Sequence, residues 1–161
     1  MQLEKTISQY ESELRKCRDV FQKKTKDYGT SWRVLRPSSL TDQLFIKAQR
    51  IRTIEENKAQ KVEEGVESEF IGLVNYAIIG LIQLKMNDNT NLDLSEHEAL
   101  THFDAESKAI QELMLAKNHD YGEAWRDMRV SSFTDLILMK LLRIRQIEDN
   151  QGKTLASEGV R

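Results

Sequence analysis

Residues 24–57 align with residues 117–150 without a gap, at a constant offset of 93, and 18 of the 34 positions are identical. Identity at that level is far beyond chance, so the chain contains a duplicated unit, and a fold assigned to one copy must also suit the other. The first copy opens KTKDYGTSWRVLRPSSLTD and the second KNHDYGEAWRDMRVSSFTD. Upstream, Leu3, Ile7, Tyr10, Leu14, Cys17 and Phe21 fall at alternating four- and three-residue steps, which is one face of a long helix. Leu100, Phe103, Ile110 and Met114 form the counterpart, broken only at Ser107.

Each unit is therefore predicted to begin with a helix, over residues 2–26 and 96–118, ended by Gly29 and Gly122 in the left-handed conformation. A loop carrying Trp32 or Trp125 follows. Ser39 and Ser132 stand three residues before Asp42 and Asp135, the spacing of a capping box, and predict second helices running to Asn57 and Asn150. A third helix, from Glu63 to Lys85, is apolar on nearly every side and is expected at the centre of the first unit. The Asn- and Asp-rich MNDNTNLDLSEHE reads as the linker, with Ser95 capping the next helix. The expected fold is all-α: two tandem three-helix units in one bundle-like domain, residues 1–87 and 96–161 joined by 88–95. A pseudo-twofold axis is expected through the helix at 66–84.

The second unit lacks its last helix. After Asn150 the sequence SEGVR matches EEGVE of the first unit with one inserted residue, and nothing corresponds to the apolar 70–84 segment. Either the polypeptide continues past Arg161, the favoured expectation, or a helix from another subunit takes the place. A groove lined by Leu136, Leu141 and Ile144 would then be open, and such apolar surface finds partners, so a homodimer is expected.

Hydrophobic residues make up 39% of 161, enough for a core at this length. With 24 basic and 26 acidic residues and no long like-charge run, no global field favours DNA or a membrane surface, and any anion site must be local. The N-terminus is charged from Glu4 and has no apolar run, so it does not read as a signal peptide and a cytoplasmic protein is expected. Residues 70–84 are too short a stretch for a membrane span and are interrupted by Asn75, Tyr76 and Gln83. The single cysteine, Cys17, excludes an intramolecular disulfide and a Cys-based zinc site, and its place on the stripe reads as core.

Lys47 and Arg50 recur as Lys140 and Arg143, one turn apart in otherwise apolar helices. Such a notch suits phosphate, since Arg offers a planar fork and Lys a mobile charge; the alternatives are snorkelling to water or pairing with a carboxylate of the next helix. Tyr28, Trp32, Tyr121 and Trp125 could stack on a base or anchor their loops to the core. Asp42 and Asp135 read as caps. Asp27 and Asp120 sit where a helix dipole disfavours acids, which makes them candidate catalytic acids. The three histidines lack metal-ligand spacing, no metal set is assigned, and no nucleophile triad or phosphate-cradling Gly loop is visible.

K-x-x-D-Y-G-x-x-W, then S-x-x-D, K-x-x-R and EGVESEFIGLVNYAIIGLIQL, in that order, resemble the bacterial and phage family called nucleotide modification associated domain 1. The resemblance covers most of the chain. It implies a largely helical protein, in the two-copy form, linked by the family's name to nucleotide or DNA-base modification, with no established activity. Single-copy members resemble all-α nucleoside triphosphate pyrophosphohydrolases in carrying acids at one-turn steps on the last helix. Carried onto this chain, Glu64 keeps the first acid and Glu158 is its counterpart, whereas Ser68 and Gly72 depart from the pattern. The reading is thus a nucleotide-binding protein whose catalytic form would be a phosphohydrolase using Mg²⁺ or Mn²⁺. The alternative is a non-catalytic helical interaction module.

Overall fold

The stripe repeated in both halves becomes two long helices. In the computed structural model, which describes residues 2–57 and 65–161, these are α1 (Gln2–Tyr28) and α4 (Glu96–Tyr121). The other helices are α2 (Pro37–Asn57), α3 (Val66–Lys85) and α5 (Val130–Asp149), with single 3-10 turns at Ser31–Val34 and Ala124–Asp127. Among the described residues every regular element is helical, as expected.

The stripe of α1 is covered from Ile7 onward and ends in buried Cys17 and Phe21, while Leu3 is left exposed. On α4 Phe103 is fully buried, and burial of a side chain of that kind is worth about 1.5–3 kcal/mol. Ser107, the break in the stripe, is buried because its hydroxyl donates back to the Phe103 carbonyl at 2.8 Å. Both helices run two to three residues further than expected and stop at glycines, with φ of 64° at Gly29 and 65° at Gly122. Each glycine N–H bonds to the carbonyl four residues earlier.

The second helices start earlier than the sequence suggested. α2 begins at Pro37, whose fixed φ suits a first helical position, and the Arg36 carbonyl already accepts from the Leu40 N–H at 3.1 Å. α5 begins at Val130 after Arg129, which makes no side-chain cap. Ser39 and Ser132 therefore lie inside the first turn, and the capping assignment does not hold. Ser95 does cap α4, accepting from the Glu98 N–H at 3.1 Å.

Asp42 and Asp135, released from capping, tie the halves together. Asp42 accepts from Arg145 at 3.1 Å, and Asp135 lies 3.8 Å from Arg52. The offset of 93 that relates Asp42 to Asp135 also relates Arg52 to Arg145, so the two pairs are reciprocal across the α2–α5 contact. Counterpart helices thus touch each other, α1 with α4 and α2 with α5. The symmetric contacts lie between these pairs, not along an axis through α3.

α3 has no counterpart among the described residues. By length and composition alone it could cross a membrane, but it packs against α1, α2 and α4 and buries Glu69, Asn75 and Gln83 along with Leu73, Ile78, Ile79 and Ile82. One core cluster joins it to α1 and α4 through Phe21, Ile78, Ile82 and Phe103, and a second joins it to α2 and α5 through Ala48, Ile51, Leu73, Leu138 and Leu141.

Candidate functional site

The notch on α2 faces α3. Glu69, only 4% exposed, takes Arg50 Nη1 at 2.8 Å and has Lys47 Nζ at 3.8 Å. One turn further along α3 stands Gly72, where a Cβ would come within 3.0 Å of Lys47 Cε. The missing side chain lets the lysine stem lie across α3, with its ammonium 5.5 Å from the Tyr76 ring centroid, a cation–π distance. The basic pair is therefore held by a carboxylate of the next helix, one of the alternatives open from sequence.

This pair also lines a cavity of about 810 Å³ between α1, α2, α3 and the first Trp loop. Lys24, Thr25 and Tyr28 of α1 form one wall, Trp32 and Leu35 of the loop close one end, and Glu69, Gly72, Asn75, Tyr76 and Ile79 follow each other along α3. The order along α3 gives the cavity a polarity. Its charged end holds Lys47, Arg50 and Glu69, and its aromatic end holds Trp32, Phe21 and Ile79.

The loop is fastened to the far end of α3. Gln83 donates to the Arg33 and Leu35 carbonyls at 2.9 and 2.8 Å and accepts from the Arg33 guanidinium. Arg33, buried, also donates to the Asn89 and Asn91 carbonyls at 2.8 and 3.1 Å. Thr30 donates to the Leu92 carbonyl and accepts from the Leu94 N–H. Trp32 Nε1 and Asn75 Oδ1 are buried without a hydrogen-bond partner, while Asn75 Nδ2 donates to the Cys17 carbonyl at 3.0 Å. Buried polar groups rarely stay unpaired, and water or a ligand is the usual partner. Cys17 itself is core, and burial pushes its thiol above the ordinary range.

The residues singled out from sequence divide. Lys47, Arg50, Tyr28 and Trp32 come together at the cavity, with Tyr28 at the exposed rim. Lys140, Arg143, Tyr121 and Trp125 do not: all four are exposed, and Trp125 donates to Asn118 at 3.2 Å beneath the Arg126 guanidinium. Asp27 and Asp120 are exposed at helix ends outside the cavity, Asp120 beside His119 at 3.2 Å. Their location by the dipole argument is right, and solvent removes the cost that was to mark them as special. Glu158 lies in the C-terminal segment, beside Arg143 in a small hollow and away from the other acids. Glu64 lies outside the described residues. Among the described residues no three His, Cys, Asp or Glu side chains gather as a metal site, and one carboxylate already engaged by Arg50 does not fit a divalent ion that prefers several oxygens.

Glu69, Lys24, Asn75 and Tyr76 were missed as site residues. The signal was present: Glu69 is the last acid before a long apolar run, and Gly72 and Tyr76 follow it on one face.

A comparison with known families decides the kinship: residues 24–84 and 117–161 match nucleotide modification associated domain 1. The chain belongs to this family. Both matched segments contain the repeated stretch, and the first spans every residue of the cavity wall except Val20 and Phe21. No curated protein and no solved structure matches the chain.

Proposed function

We propose that the cavity of the first unit binds a nucleotide, with phosphate toward Lys47 and Arg50 and the base toward Trp32. The observation that carries this reading is the polarity of one lining, cationic at one end and aromatic at the other, in a volume within the usual 300–1,000 Å³ of small-molecule sites. Lys47, poised over Tyr76 beside the Arg50–Glu69 pair, can follow a phosphate oxygen with its mobile charge. Binding, not hydrolysis, is what the lining supports, because Glu69 is its one carboxylate among the described residues. Membership of a nucleotide-modification-associated family agrees with this choice of ligand.

The test is calorimetric titration of the whole chain with nucleoside mono-, di- and triphosphates and with pyrophosphate. Saturable binding is expected for at least one nucleotide, weakened by Lys24→Ala, which removes an exposed cation at the cavity wall without touching the core. A ligand at about 100 times its Kd adds roughly 2.7 kcal/mol of stability, so thermal melts give a second readout. Flat titrations and unshifted melts for every nucleotide would return the chain to the interaction-module reading, which the Glu69–Arg50 pair and the Arg33 clamp already suit.

A further inference from the structure

α2 and α5 carry the same face, and only one of them has a helix on it. On α2 the face is closed by α3: Leu40 is 1% and Ile51 0% exposed, and Lys47 and Arg50 meet Glu69. At the same positions on α5, Phe133 and Ile144 are only half-buried, and Lys140 and Arg143 are exposed. Among the described residues neither cation has a carboxylate within ion-pair distance. Half-buried apolar side chains beside two exposed cations form a surface whose complement is specific: apolar, with one acid.

We propose that this face of α5 is the docking site of an apolar helix that bears a carboxylate opposite Lys140 and Arg143 and a glycine one turn beyond it. The first unit supplies the template for both requirements. Glu69 shows where the acid must stand to reach the two cations, and Gly72 shows why a small residue must follow, since a Cβ there would collide with the lysine stem. The apolar part completes the burial of Phe133 and Ile144, as α3 buries their counterparts Leu40 and Ile51, and the acid gives register, because an unpaired cation buried under an apolar helix is strongly disfavoured. The chain's own α3 is not free to serve, being packed on α1, α2 and α4.

A fluorescently labelled peptide with the sequence of residues 66–85, solubilised by polar substitutions on the face opposite Glu69, is the probe. Titration with the whole protein should give saturable binding. Lys140→Glu with Arg143→Glu should weaken it by at least about tenfold, the scale expected of close charge pairs at an interface, while circular dichroism and melting stay unchanged because both residues are exposed. A peptide carrying Glu69→Arg should bind the double variant better than it binds the original protein. Absence of saturable binding overturns the proposal. So does binding that ignores the charges of α5, which would mean the peptide is displacing α3 from the first unit.

Discussion

The segment from Lys24 to Leu35 and the segment from Lys117 to Met128 fold alike and live in different surroundings. In both, a glycine at positive φ ends a long helix, a 3-10 turn follows, and the N–H after it closes on the Trp carbonyl, at 3.0 Å for Leu35 and 3.1 Å for Met128. Yet Arg33 is buried against Gln83 and the linker, whereas its counterpart Arg126 reaches Glu123, Thr6 and Gln9 near the start of α1. Hydrogen bonds from Thr6 and Arg126 hold the Glu123 carboxyl below its ordinary range. Trp32 walls a cavity and Trp125 lies open. The repeated residues thus specify a local shape in both places, and the pocket is added by α3, which among the described residues walls only the first.

The comparison can be broken hardest at the two arginines. Arg33→Met should cost on the order of 3 kcal/mol, because it strands the buried Gln83 amide oxygen and takes the guanidinium from two partly buried linker hydrogen bonds. Arg126→Met, near the surface, should cost about 1 kcal/mol or less. Urea denaturation of the two variants measures the difference, and equal midpoints would mean that both loops depend on their clamps to the same degree.

Gly72→Ala separates stability from binding. Alanine is favoured over glycine in a helix by about 1 kcal/mol, but the new methyl must push Lys47 from its place. Stability should change by less than about 1 kcal/mol in either direction, while nucleotide affinity at the first unit falls. A variant that binds as well as the parent would remove Lys47 from the site.

The reciprocal pairs at the α2–α5 contact are exposed, so Asp42→Asn and Asp135→Asn should each cost less than about 1 kcal/mol, as surface ion pairs do. Ser39→Ala and Ser132→Ala should stay within about 0.5 kcal/mol. A larger loss for either serine would restore it as a cap.

The smallest effect expected is electrostatic. Burial pushes the Glu148 carboxyl above its ordinary range, partly offset by the hydrogen bond from Thr41 at 3.0 Å. The fold therefore favours the neutral acid, and the cost of ionising it appears as pH rises through the raised value. Glu148→Gln should gain a few tenths of a kcal/mol at neutral pH, and the gain should vanish once the pH falls well below the ordinary carboxylate range, where the carboxyl is neutral in both states. A gain that persists in acid would assign it to packing.

The helices were legible because their information is local. The stripes of α1 and α4, the stop glycines and the Ser95 cap each depend on neighbours within a turn or two. The Ser39 cap failed because two local signals competed and Pro37 started the helix first. The cavity was half legible: Lys47, Arg50, Tyr28 and Trp32 stood out by recurring and line it. Glu69 could not be joined to them, because its contact follows from α3 crossing α2, a long-range contact that no spacing encodes. Recurrence alone did not separate them from Lys140, Arg143, Tyr121 and Trp125, which share the local shape without the third wall.

Both ends of the cavity are fixed to one helix: Glu69 holds the cations near the start of α3, and Gln83 holds the tryptophan loop near its end. A helix is among the stiffest rods a chain can make. At about 1.5 Å per residue the distance from Glu69 to Ile79 is roughly 15 Å and cannot breathe without breaking backbone hydrogen bonds. α3 is in this sense a ruler laid along the cavity. Under the proposed reading, molecules too short to reach from guanidinium to indole lose one end of their recognition, and longer ones protrude past the rim beside Tyr28.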